Sequence, residues 1–186
     1  ANKVVRLDVG TCFVQYPVRP GLLFAFGNGT HGKLGHGTED DCTAPQYVAE
    51  LVNHTLADVV CGDEFSVALT SSGEVYTWGK ANYGRLGHGS TSHVVKPKRI
   101  DSLLGTSVAQ VSAGRYHMAA VTEQGAVFSW GDGENGKLGT LTPAAAYVPR
   151  LVEALSGTVI VHVSCGGEHT LALRDDGRVL SWGRGM

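Results

Sequence analysis

The sequence predicts an all-β protein built from repeated blades of four short antiparallel strands, arranged as a β-propeller. Three observations carry this. Residues recur at an interval of 52. The segments between glycines alternate with the period of strands. Glycine makes up 26 of 186 residues, twice the usual ~7%, as many tight turns require. The interval links Phe26-Gly27, Trp78-Gly79, Trp130-Gly131 and Trp182-Gly183, then Gly10, Gly62, Gly114 and Gly166, then Gly21, Gly73, Gly125 and Gly177. Pro45, Pro97 and Pro149 keep it, as do Ala68, Ala120 and Ala172. So do Gly32-Lys33-Leu34-Gly35, Gly84-Arg85-Leu86-Gly87 and Gly136-Lys137-Leu138-Gly139. Self-similarity at one period is the signature of a repeat architecture.

The second unit shows the elements in order. Residues 57–61 form a β-branched run stopped by Gly62. Residues 66–70 alternate and end at the turn Ser71-Ser72-Gly73, a hairpin signal. Residues 74–78 alternate again, placing Tyr76 and Trp78 on one face and Val75 and Thr77 on the other. A glycine-rich loop follows, then a last short strand around 97–100. No stretch carries a clear helical stripe. A four-stranded unit cannot bury two apolar faces alone. Stacked copies bury them, in a solenoid or a propeller, and strands apolar on both faces suit blades held between two neighbours. The tryptophans are then expected between blades. The copies run at about 1–52, 53–104, 105–156 and an incomplete 157–186, about three and a half blades. The first is degenerate, with Phe13 where His117 and His169 stand.

The totals agree with one soluble domain. Hydrophobic residues make up 42% and charged residues 17%, and the net charge is −2. That excludes a global basic field for nucleic acid but leaves room for a local patch. No apolar run approaches the ~20 residues of a spanning helix. The four cysteines, 12, 42, 61 and 165, form no CxxC pair. Cys61 and Cys165 end apolar runs before a glycine and read as small buried side chains, so no disulfide framework is expected.

Gly131-Asp132-Gly133-Glu134-Asn135-Gly136 fits the dinucleotide fingerprint G-x-G-x-x-G letter for letter. That fingerprint needs a following helix inside a βαβ unit, and Gly-Lys-Leu-Gly follows instead. The copy at Gly79–Gly84 lacks the central glycine. The loop therefore reads as a turn whose glycines serve the backbone, with solvated acids. Calcium finds no carboxylates in the sibling loops. His117 and His169 share one repeat position and read as hydrogen-bonders in the core or a turn. No nucleophile elbow is present. No cofactor, metal or covalent catalysis is expected.

Two sets of loop residues are candidates for recognition. Asp63, Glu64, Arg115, Tyr116 and Glu168 follow the repeated glycine and vary while the frame stays fixed, as where a scaffold presents a partner-binding surface. Lys33, Arg85 and Lys137 place one basic residue at the same phase of three blades. They suggest an arc facing an acidic partner or DNA, against the plainer reading of a solvated rim.

Gly114-x-x-His117-x-x-Ala120-Val121-Thr122-x-x-Gly125-x-Val127-Phe128-x-Trp130-Gly131, followed by Gly136-Lys137-Leu138-Gly139, resembles the signature of the regulator of chromosome condensation repeat family. The resemblance runs from about Val4 to Met186. It implies a seven-bladed propeller, so the expectation is a portion of a longer chain or, less favoured, a half-ring completed by dimerisation. It implies a protein-interaction module, scaffold or regulatory, in the nucleus or cytoplasm and without membrane contact. The alternative it implies is a guanine nucleotide exchange factor for a Ran-like small GTPase at chromatin, acting through an inserted wedge. The segments 34–45, 86–97 and 138–149 are equal in length and show no such insertion. The family's photoreceptor branch carries Gly-Trp-Arg-His-Thr repeats. Here the matching stretches read Gly-Arg-Tyr-His-Met and Gly-Gly-Glu-His-Thr, so light sensing is not expected.

Overall fold

The computed structural model describes residues 22–185 in full and the backbone of 4–9 and 12–17. Gly10 and Gly21, first copies of two repeated glycines, lie outside the described residues, as does the side chain of Phe13. Three four-stranded antiparallel sheets and one three-stranded sheet follow one another along the chain. The first blade holds β1 (Val4–Val9), β2 (Cys12–Pro17), β3 (Phe24–Gly27) and β4 (Cys42–Tyr47). The second holds β5 (Leu56–Cys61), β6 (Phe65–Thr70), β7 (Val75–Gly79) and β8 (Val94–Arg99). The third holds β9 (Val108–Ala113), β10 (His117–Thr122), β11 (Val127–Gly131) and β12 (Ala146–Leu151). The fourth holds β13 (Ile160–Cys165), β14 (His169–Arg174) and β15 (Val179–Gly183).

Each sheet is a meander in sequence order, and in the second and third blades the first two connections are short turns while the third is a longer loop. In the second, Gly73 at φ 81° closes the β6–β7 hairpin by donating to the Thr70 carbonyl at 3.0 Å. The registers repeat too, with Ala68 opposite Tyr76 and Ala120 opposite Phe128. First strands of successive blades lie against one another, β1 on β5, β5 on β9 and β9 on β13. They are therefore innermost and the fourth strands outermost, which is propeller geometry.

The alternation read from the sequence sorts the side chains between two interfaces. Trp78, Tyr76 and Ala68 pack with Leu23, Leu34 and Leu51 of the first blade. Phe65, Val67, Leu69 and Val75 turn the other way, onto Val111, Met118, Ala120 and Trp130 of the third. A third core joins Val121 and Val127 to Ile160, Val163 and Ala172. Cys61 and Cys165 are half-buried as residues, and burial pushes the Cys165 thiol pKa up to about 12.

Trp78 and Trp130 are fully buried and Trp182 partly so. Their indole Nε1 groups donate to the carbonyls of Lys33, Arg85 and Lys137 at 2.9, 3.0 and 2.9 Å. Each tryptophan thus grips the Gly-x-Leu-Gly loop of the preceding blade. The last glycine of that loop is required: a Cβ on Gly87, at φ 78°, would lie 3.0 Å from the Trp130 Nε1. The Lys33 carbonyl also accepts from Ser66 Oγ at 2.8 Å, and the Lys137 carbonyl from Thr170 Oγ1 at 2.8 Å. Met118 occupies the equivalent position in the middle copy and cannot donate in this way.

Candidate functional site

In each meander the turn after the first strand and the loop after the third emerge at the same end of the blade. Asp63, Glu64, Arg115, Tyr116 and Glu168 therefore share one face with the Gly-x-Leu-Gly loops. At each joint between blades, the loop after a third strand meets the turn after the next blade's first strand.

The joint between the third and fourth blades is an ion cluster. Lys137 is fully buried, and its Nζ lies 2.7 Å from both Asp132 Oδ2 and Glu168 Oε2. Burial pulls the ammonium's pKa down, but the hydrogen bonds and charges of the two carboxylates together outweigh it and the pKa is raised. The hydrogen bond from Lys137 holds Glu168 below the usual carboxylate range. Asn135 Nδ2 adds a bond to Glu168 at 3.3 Å. Asp132 is 9% exposed. This corrects the expectation of solvated acids in Gly131–Gly136, because Asp132 is turned inward onto Lys137 while Glu134 is exposed.

At the joint between the first and second blades, Glu64 pairs with Lys80 and meets His31 Nε2 at 3.4 Å. The Lys80 hydrogen bond lowers the Glu64 pKa, with His31 and Lys33 contributing. His31 also packs edge-on against His93 at 4.6 Å between centroids. The middle joint has no glutamate at this position. Tyr116 stands there, with the Arg85 and Arg115 guanidinium carbons 4.9 and 5.0 Å from its ring centre, within cation–π range.

The three cations at 33, 85 and 137 are 4%, 1% and 0% exposed. The reading of a solvated rim is therefore corrected, and the heads do not form an outward row. They share a phase because the loop that carries them closes over the next blade, and burial follows. Burial lowers the Arg85 pKa, opposed by Glu64 and Asp63.

The sequence reading missed His31, Tyr83 and Asn135. All three carry positive φ, at 63°, 61° and 60°, a conformation rare outside glycine. Each projects beside the 64, 116 or 168 position of the next blade. Their signal was the phase itself, 52 residues apart with a different side chain each time. His117, expected as a hydrogen-bonder, is fully buried, with Nε2 2.8 Å from Thr170 Oγ1 of the next blade. Burial, and then Lys137, lower its pKa to about 4. His169 is exposed.

The model of the regulator of chromosome condensation (RCC1) repeat matches residues 20–69, 72–121 and 124–173. The chain belongs to this family. Each matched RCC1 repeat begins before the third strand of one blade and ends in the second strand of the next, so every repeat is shared covalently by two blades. Human E3 ubiquitin-protein ligase HERC2 is 43% identical over 167 residues, covering 89% of this chain and 4% of the relative. The ultraviolet-B receptor UVR8 of Arabidopsis thaliana is 37% identical over 185 residues, covering 99% and 42%. The crystal structure of human WBSCR16 superposes with a TM-score of 0.90 at 27% identity, covering 99% of this chain and 48% of that one. The chain thus spans less than half the length of each.

Proposed function

We propose that these blades belong to a protein-interaction propeller of the RCC1 type. It is a binding module without covalent chemistry of its own, and its partner docks on the face carrying the turns after the first strands. One observation carries this reading. The frame at 31, 83 and 135 is the same to within a few degrees of φ, while its side chains change from His to Tyr to Asn and those opposite from Glu to Tyr to Glu. A constant frame with changing chemistry is what a scaffold presenting a recognition surface requires.

Asp63, Glu64, Arg115, Tyr116 and Glu168 form this surface together with Tyr83. Lys33 and Arg85 act from beneath it, as charge rather than as contacts, while Lys137 is neutralised by Asp132 and Glu168. The copies at about 1–52, 53–104, 105–156 and 157–186 are then blades of one ring, completed by further blades of the same chain or by a second copy. The compartment is intracellular, nucleus or cytoplasm. Among the described residues no helix is long and apolar enough to cross a membrane.

The test uses the complete protein as bait and Asp63→Lys with Arg115→Glu as the variant. Partner capture should fall while the melting temperature holds. Undiminished capture sinks the assignment of this face. Exchange on a Ran-like GTPase at chromatin is the alternative. The equal loops at 34–45, 86–97 and 138–149 offer it no wedge in these blades, and accelerated nucleotide release by the complete protein is the result that would restore it.

A further inference from the structure

The joint between the second and third blades differs from its neighbours in charge. In both flanking joints the next blade supplies a glutamate, Glu64 or Glu168, to cations beside it. In the middle joint that position is Tyr116, and the position equivalent to Asp132 is Lys80, whose ammonium pairs back with Glu64 of its own blade. Arg85 is 1% exposed. Its Nε donates to the Asn82 carbonyl at 3.1 Å and Nη1 to the Arg115 carbonyl at 3.2 Å. Among the described residues, no carboxylate forms an ion pair with it. A buried cation whose nearest carboxylates, Glu64 and Asp63, act on it only at a distance is incompletely compensated, and the Tyr116 ring offsets only part of that cost.

Beside this buried charge lies an exposed one. The Arg115 side chain is 60% exposed, and Asp63 Oδ2 lies 3.6 Å from its Nε. Its guanidinium lies over the Tyr116 ring, and its two Nη groups make no hydrogen bond to a described residue. Tyr83, 49% exposed, stands 5.5 Å from the Tyr116 ring. Tyrosine and arginine are the residue types that dominate protein–protein hot spots.

Resting on the binding reading above, we infer that this joint receives an Asp or Glu side chain from an acidic segment of the partner protein. The carboxylate takes the open Nη edge of Arg115, where a fork of N–H donors matches two oxygens. Arg85 adds attraction from below, and Tyr83 and Tyr116 supply the apolar contact around it. A peptide fits better than a nucleic acid. A polyanion running across the face would meet Glu64 at one neighbouring joint and Glu134 and Glu168 at the other, whereas a short acidic segment covers the middle joint alone.

The probe is a fluorescein-labelled pool of short peptides carrying one Asp/Glu cluster among apolar residues. A charge-inverted Lys pool and a single-stranded oligonucleotide are the controls, and anisotropy is read on the complete protein. The acidic pool should bind and weaken with salt. Arg115→Glu should abolish binding. Tyr83→Asn should weaken it by about tenfold, and it keeps the fold because Asn135 already takes this backbone conformation. The decisive variant, Arg85→Lys with Tyr116→Glu, writes the ion pair of the third joint into the second. It should remain folded and lose binding. No binding by the acidic pool, or equal binding by the two-residue variant, overturns the inference. Tighter binding by the oligonucleotide overturns it in favour of a phosphate ligand. If the bait of the preceding test captures a partner through this face while the acidic pool fails, only this inference falls. If no partner docks there, the broader reading falls.

Discussion

The carbonyl of residue 85 gives the sharpest prediction. Trp78 and Trp130 occupy equivalent, fully buried positions, and each indole donates to the preceding blade. Replacing either by phenylalanine keeps a ring and removes the donor, so the loss of buried area is about equal at both sites. The difference lies in what remains. The Lys33 carbonyl keeps Ser66 Oγ at 2.8 Å. The Arg85 carbonyl keeps no donor among the described residues, because Met118 stands where Ser66 does. A buried acceptor left unmatched costs about 1–3 kcal/mol, against about 1 kcal/mol for one lost bond of several. Trp130→Phe should therefore destabilise by about 1 kcal/mol more than Trp78→Phe. Urea unfolding of the complete protein measures this, with the slope of each transition checked for constancy. Adding Ser66→Ala to Trp78→Phe should couple unfavourably by a similar amount. Equal costs for the two tryptophans, or no coupling with Ser66, would refute the account of how the blades are joined.

Protonation of His117 should make stability fall in acid. Its folded pKa of about 4 lies below the ordinary 6.5, so the unfolded chain takes up a proton first. Stability should drop as pH falls from 6.5 towards 4, by roughly 3 kcal/mol in all. His117→Phe, the type found at the equivalent Phe65, should remove that slope in pH-dependent unfolding. Gly87→Ala should cost more than Gly105→Ala. Both have positive φ and share a conformational cost of about 1–2 kcal/mol, but only Gly87 meets an indole, while Gly105 faces open space. Lys137→Met should strand Asp132 and Glu168. It should cost no more than the low end of the ~3–5 kcal/mol for breaking a buried pair, since Glu168 is 34% exposed, and NMR titration should show the Glu168 pKa rising. Calorimetry on each variant separates these effects.

The parts of the fold that were readable in the sequence are those set by local period. Glycine at the hairpin turns, alternation along β7 and tryptophan at its end recur because every blade solves the same packing problem. The side to which Tyr76 and Trp78 point followed from that alternation. The burial of Lys33, Arg85 and Lys137 did not, since lysine and arginine are almost never buried unless paired. The pairing that buries Lys137 comes from Glu168, 31 residues away on the next blade. Asp132 was misread for a different reason: the loop folds it back onto Lys137 of the same turn, at 2.7 Å. Tyr83 was hidden differently. A variable residue before a fixed glycine looks like loop filler until the positive φ fixes its direction.

The central claim is that partners dock on the face where Arg115, Tyr116 and Tyr83 meet. Hydrogen–deuterium exchange on the complete protein, with and without its captured partner, tests this most directly. Protection should concentrate at residues 82–84 and 114–116 and leave the opposite-end turns at 71–74 and 101–107 unchanged. Protection of those opposite turns, with residues 82–84 and 114–116 unaffected, would contradict the account.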